Sequence, residues 1–269
     1  MKISHETPKC LLKWSKSNMD YQYALVHLLE EDEEYREHFL QCKKDGIPIY
    51  LDNSLHELGE AIGGKILEKW INILEPQHVF VPDVWENSEE TIFNALHWSP
   101  IAEEWKKDHF NYPSNTTPIA IVQATSYDEA SKCYSKLKEI GYNKIAFSYG
   151  AHYYNGMFPH PNRFISGALG RVLVISKMFE EGIIWETDKI HLLGTYTPLE
   201  FSFYKDMPFI ESIDTSNPVM AAIDNMIYDD LGIFKKPSSN MNKCFEIPKE
   251  DVNLHILEHN IQIFRKLTK

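Results

Sequence analysis

IYLDN (Ile49–Asn53), VFVPD (Val79–Asp83), IAIVQ (Ile119–Gln123), IAFSYG (Ile145–Gly150), IHLLG (Ile190–Gly194) and IESIDTSNP (Ile210–Pro218) recur in order along a chain of 269 residues. Each is an apolar run of strand length with an acidic, amide or glycine residue at its C-terminal end. Helix-like segments separate most of them. A parallel barrel has this one-dimensional form: strands buried on both faces read as apolar runs, helices lie between them, and chemistry gathers where the strands end. The pattern predicts an α/β fold, a single (β/α)8 TIM-type barrel. It puts Asp52, Asp83, Gln123, Gly194 and Asp214 at strand C-termini, converging on one face. That convergence points to an enzyme site.

Length and composition agree. A single domain over residues 1–269 suits one α/β barrel, and no boundary divides the chain. A hydrophobic share of 43% with 13% aromatics supplies a large core and excludes global disorder. No stretch approaches the roughly 18 apolar residues of a membrane span, and MKISHETPKCLLKW lacks the apolar core of a secretory signal. Cys10, Cys42, Cys133 and Cys244 lie far apart without a C-x-x-C pair, as reduced thiols do. A soluble, cytoplasmic protein is expected, with no membrane partner. The net charge of −12 would repel a polyanion, so any nucleic-acid binding must be local and salt-sensitive. Basic clusters exist at Lys65 and Lys69, Lys106 and Lys107, Lys132, Lys136 and Lys138, and Lys235 and Lys236. Each also reads as a solvated helix face or loop.

A first strand is expected over Tyr23–His27, followed by one helix through EEDEEYREHFLQCKKDG, acids early and lysines late, with Gly46 as its stop. A helix from about Glu57 to Leu74 would place Ile62, Ile66, Trp70 and Ile73 on one side. Further helices are expected near Glu89–Leu96, from Ser126 to Gly141, over Phe164–Phe179 and near Leu199–Tyr204. The stretch from Ser148 to Asn162 reads equally as a substrate-covering lid or an ordinary surface loop. A Pro/Ser/Asn/Lys-rich loop, FKKPSSNMNK, precedes a final helix over residues 250–267. Seven strands are read in this way, and the eighth is not placed.

The order LDN–S–x–x–E–x–G–E, VPD, IVQ, HLLG and IDTSNP resembles the tRNA-guanine transglycosylase superfamily. Within it the chain looks closest to the DpdA-like 7-deazaguanine DNA transglycosylases of phages and bacterial DNA-modification clusters. The resemblance runs from about Ile47 to the C-terminus, where LEHNIQIF (Leu257–Phe264) looks like the family's last helix. It implies exchange of guanine for a 7-deazaguanine base in DNA by double displacement, in the host cytoplasm if phage-encoded. A carboxylate attacks C1′, guanine leaves, and the incoming base displaces the enzyme. By motif match Asp214 takes the nucleophile position and Asp52 that of the general acid/base. Asp83, Gln123 and Gly194 match positions that recognise the purine, and Gly150 belongs beside them.

Other readings stay open for these residues. An Asp after a strand often caps the next helix, which would suit Asp83. Asp214 could cap a turn through Thr215 and Ser216, and Gln123 could be a satisfied buried amide. Glu57 and Glu60 read as first-turn helix acids. The family's tRNA enzymes have a glycine pair where this chain has Asn53-Ser54, which favours the DNA branch. They also carry a zinc site with clustered cysteines. Here Cys244, His255 and His259 are the only candidates and too few for four ligands, so no metal or other cofactor is expected. The partners implied are DNA and a 7-deazaguanine base. Exchange in tRNA, an N-glycosidic hydrolase of nucleosides or base derivatives, and a non-enzymatic barrel are the alternatives.

Overall fold

The computed structural model describes residues 1–101 and 110–269. The Lys106–Lys107 cluster lies outside the described residues. Eight strands form one sheet: β1 (Lys2–Ser4), β2 (Gln22–Leu25), β3 (Ile49–Asp52), β4 (His78–Phe80), β5 (Thr117–Val122), β6 (Lys144–Ser148), β7 (Lys189–Leu193) and β8 (Ile210–Asp214). Their order is β1-β8-β7-β6-β5-β4-β3-β2, the cyclic order of a (β/α)8 TIM-type barrel, and helices alternate with the strands. The pairs β1–β8, β2–β3, β3–β4, β4–β5 and β5–β6 are parallel. A C-terminal helix, Leu254–Leu267, follows. Among the described residues no helix is long and apolar enough to cross a membrane.

The chain forms two compact units. One comprises Met1–Met19, Ser148–Thr187 and His191–Lys269; the other comprises Asp20–Phe147 with Asp188–Ile190. In the second unit every residue of β2 and β3 is buried, as expected of strands covered on both faces. Tyr21 and Tyr50 stack there at 3.9 Å between centroids. Buried Lys144 sets its ammonium 3.1 Å from the Tyr50 hydroxyl and 4.8 Å from that ring's centroid. In the first unit Leu257, Asn260, Ile261, Phe264 and Leu267 give the C-terminal helix its buried face.

The eighth strand is β1. Lys2, Ile3 and Ser4 pair in register with Ser212, Ile213 and Asp214 of β8, and Ile3 is 2% exposed. Three residues are too few to show a period, which is why the sequence hid it.

Other boundaries shift for local reasons. Strand β2 ends at Leu25, so His27 belongs to the helix Val26–Glu31. The acidic segment is two helices, because Asp32 is extended and its carboxylate accepts from the Tyr35 N–H, capping Glu33–Lys44. The expected Glu57–Leu74 helix is also two, Leu55–Leu58 and Gly64–Leu74. Gly59 ends the first in a left-handed conformation at φ 82°. The longer helix buries Leu67, Trp70, Ile71 and Leu74, at i, i+3, i+4, i+7 spacing. Ile66 and Ile73 are exposed and Ile62 lies before the helix, so of the expected stripe only Trp70 is buried in it.

The Ser148–Asn162 stretch holds a short helix, Tyr153–Met157, packed so closely on the helix Arg163–Glu180 that a Cβ at Gly170 would lie 2.0 Å from the Tyr154 carbonyl. The final helix starts at Leu254 rather than 250, with Asn253 capping the Ile256 N–H; a 3-10 turn, Lys249–Asp251, precedes it.

If β1 is a core strand, Ile3→Ala lowers unfolding stability by about 2–4 kcal/mol in urea titrations. A loss below about 0.5 kcal/mol, the level of a surface substitution, would contradict that placement.

Candidate functional site

Each unit carries a cluster of buried polar side chains at the C-terminal ends of its strands. In the second unit the centre is Asp83, three residues beyond β4 and 2% exposed. Its Oδ1 accepts from Asn53 Nδ2 at 2.8 Å and its Oδ2 from Gln123 Nε2 at 2.6 Å. Both amides are locked from behind. The Leu55 N–H donates to Asn53 Oδ1 at 2.9 Å, and the Glu86 N–H donates to Gln123 Oε1 at 2.9 Å. Asn53 Nδ2 also donates to the Val81 carbonyl at 2.9 Å. A flipped Asn53 would point oxygen at two acceptors, so the orientation follows from backbone groups whose polarity is fixed. Asp83 is thereby held as a carboxylate that accepts on both oxygens.

Asp52, the last residue of β3, lies beside it, also buried. The Tyr23 hydroxyl donates to its Oδ1 at 2.8 Å and the Ser54 N–H to its Oδ2 at 2.7 Å. Burial raises both carboxyl pKa values, that of Asp83 to about 6, with the Asp52 charge a smaller contribution to the Asp83 rise. A cavity of about 1020 Å³ opens beside Asp83. Trp85, Phe93, His97 and Trp98 line it, with Glu60, Glu90 and Asn94, and among the described residues no Lys or Arg does.

In the first unit Asp214, the last residue of β8, is 3% exposed. Its Oδ1 lies 2.8 Å from Nε2 of His191 on β7, whose Nδ1 lies 2.9 Å from the Ser212 hydroxyl. With Nδ1 accepting from Ser212, Nε2–H donates to the carboxylate. Ser212 and Asp214 share one face of β8 because strand side chains alternate.

Gly194 follows β7 at φ 60°, and a Cβ there would lie 2.3 Å from the Tyr149 ring. Its N–H donates to the Asp214 carbonyl at 3.0 Å. Its own carbonyl accepts from Arg171 NH2 at 2.8 Å, and the Leu193 carbonyl from Arg171 NH1 at 2.9 Å. Gly150 has φ 94° and comes two residues after β6. The second unit thus brings together Asp52, Asp83 and Gln123, and the first unit Asp214 and Gly194.

Arg171, a basic residue on the helix that follows the Ser148–Asn162 stretch, is not offered to phosphate: it is 1% exposed and paired with fully buried Glu200. Its NH2 lies 2.8 Å from Oε1 and its Nε 3.0 Å from Oε2. Burial, the largest single influence, would lower the guanidinium pKa, and the Glu200 carboxylate together with Tyr204 and Tyr154 outweighs it and raises it. Thr195 adds a hydroxyl to the same carboxylate. Arg163, Lys235, Lys236 and Lys243 remain exposed.

Sequence reasoning missed Tyr23, His27, Asn53, Ser54, His191 and the Arg171–Glu200 pair. His191 left a signal, a lone His inside the apolar run IHLL. Arg171 and Glu200 left none, because 29 residues of chain separate them. Of the zinc candidates, Cys244 is buried and His255 exposed, while His259 Nε2 lies 2.9 Å from the Tyr228 carbonyl. Among the described residues no three His, Cys, Asp or Glu side chains are grouped so that they could hold a metal ion.

No protein-family model matches the chain, and no curated protein matches it.

The raised pKa of Asp83 sets a pH signature. The unfolded carboxyl loses its proton near its ordinary value of 3.8, the folded one near 6, so stability falls as pH rises between them. Asp83→Asn removes that slope. From about pH 4.5 to about pH 7 the wild type should therefore lose about 2 kcal/mol more than the variant in urea unfolding. Parallel pH profiles would show that Asp83 titrates normally.

Proposed function

We propose that this protein is a transglycosylase that exchanges guanine for a 7-deazaguanine base in DNA. The observation that carries the reading is the acceptor-only cradle at Asp83. Guanine presents adjacent donors, N1–H and the 2-amino group, and a carboxylate with both oxygens fixed by flanking amides is complementary to them. Asp83 is ionised by about tenfold over its neutral form at pH 7, given its pKa of about 6. The aromatic lining of the adjoining cavity suits a planar heterocycle.

In this reading Asp214 is the nucleophile. Its carboxylate attacks C1′ with loss of guanine, and the incoming base displaces Asp214 in the second step. The His191 hydrogen bond fixes the carboxylate's orientation. Asp52, whose pKa burial raises, gives a proton to the leaving base and takes one from the incoming base. No step requires a cofactor. The guanine must leave its stack to react, and exposed Arg163, Lys235, Lys236 and Lys243 are the cations offered to phosphate.

The net charge of −12 and the burial of Arg171 favour a second reading. In it water replaces the incoming base, and the substrate is a nucleoside or base derivative.

Labelled guanine incubated with duplex DNA, single-stranded DNA, tRNA and nucleosides separates these readings. Exchange into DNA is expected, falling steeply with salt, by roughly 0.9 log units per phosphate contact for each log unit of salt. Asp214→Asn should remain folded while losing exchange and the covalent nucleic-acid adduct. Asp83→Ala should weaken base binding by about 1.5–3 kcal/mol. Full exchange by Asp214→Asn, or turnover of nucleosides with none of DNA, would overturn the proposal.

A further inference from the structure

Ser54 is fully buried and left-handed, at φ 62° and ψ 22°, a region that residues bearing a Cβ enter at a cost. Strain of this kind persists only where the surroundings over-determine it. Two contacts do so here. The Ser54 N–H donates to Asp52 Oδ2 at 2.7 Å, and the Ser54 hydroxyl lies 2.8 Å from Nδ1 of His27. The His27 N–H adds a longer bond, 3.4 Å, to the same oxygen. His27 is buried and sits in the turn of helix that follows β2. Burial lowers its pKa, which suits a neutral ring whose Nδ1 accepts from the hydroxyl. Strand β2 also carries Tyr23, the donor to Asp52 Oδ1. Both carboxylate oxygens are thus held from one stretch of chain, by Tyr23 directly and by His27 through Ser54.

We propose that His27 and Ser54 are a positioning pair for Asp52. His27 anchors the Ser54 hydroxyl, the anchored side chain holds Ser54 in place and left-handed, and a residue so held keeps its N–H within reach of the carboxylate. The proposal rests on the reading of Asp52 as general acid/base, although the geometry it describes does not. His27 touches no reacting atom in this role. Its loss lets residue 54 relax toward ordinary backbone angles, which withdraws a donor from the charged form of Asp52. A glycine at position 54 needs no anchor, since it holds these angles without a Cβ penalty.

His27→Ala is compared in two backgrounds, the wild-type chain and Ser54→Gly, with thermal unfolding as a check on folding. In the wild-type background His27→Ala should raise the Asp52 pKa by about one unit in a carbon-13 carboxyl NMR titration. It should also lower the exchange kcat about tenfold with KM for the base unchanged. In the Ser54→Gly background the same substitution should change either quantity less than about twofold. His27→Asn, whose amide can still meet the hydroxyl, should recover most of the loss. If His27→Ala unfolds the protein, His27→Phe fills the ring's volume without Nδ1 and takes its place. Equal losses in both backgrounds would overturn the pair, because they would give His27 a role that does not pass through the residue 54 backbone. If the wild type exchanges no base, the functional reading fails, while the Asp52 titration still decides the positioning pair.

Discussion

The Asp83 carboxylate, held between the Asn53 and Gln123 amides, is the constraint around which the second unit's site is organised. Burying a carboxylate is costly, and the rise of its pKa to about 6 records that cost. Two charge-assisted hydrogen bonds offset part of it, and they exist only because backbone N–H groups of Leu55 and Glu86 turn each amide's nitrogen inward. Loops after β3, β4 and β5 are therefore tied to one side chain. Such an arrangement is hard to justify by stability, since an apolar residue would avoid the desolvation. It is easy to justify as a preorganised acceptor.

The first unit solves a related problem differently. Glu200 and Arg171 are both buried, and their pairing is completed by the Leu193 and Gly194 carbonyls and the Thr195 hydroxyl. Removing one partner would strand a charge, a loss of about 3–5 kcal/mol in comparable pairs. What the pair fixes is the backbone leaving β7. There Gly194 donates to the Asp214 carbonyl and passes within a Cβ's reach of Tyr149. His191, two residues into the same strand, orients the Asp214 carboxylate. The Asp214 carboxylate, the proposed nucleophile, is thus set by a His on a neighbouring strand and by backbone that a buried ion pair holds.

The barrel was legible because parallel strands buried on both faces leave long apolar runs, and Asp52, Asp83, Gln123 and Asp214 each close one. Strand β1 was not, because KIS carries no period, and its place depends on pairing with Ile213 more than 200 residues away. The split helices were hidden by good local propensity. Asp32 breaks one only by capping the next, and Gly59 with Gly63 interrupts what the apolar residues alone would continue. Site residues that act through their neighbours were the hardest to see. Nothing local distinguishes Ser54 until its left-handed backbone is known, or Arg171 until Glu200 is found beside it.

Whether the Asp83 cradle reads a purine's donor edge is measured most directly by its affinity for matched base analogues. Calorimetry at neutral pH should compare 7-deazaguanine, which offers N1–H and the 2-amino group, with 7-deazahypoxanthine, which lacks the amino group, and 7-deazaadenine, which lacks both the N1–H and the 2-amino group. Each Asp83 oxygen keeps acceptor capacity beyond its amide bond, and a missing donor leaves that capacity buried and unused, so affinity should fall about tenfold or more at each step. The order should collapse in Asp83→Ala. Equal affinity for all three bases, or a preference for 7-deazaadenine, would contradict the account at its centre.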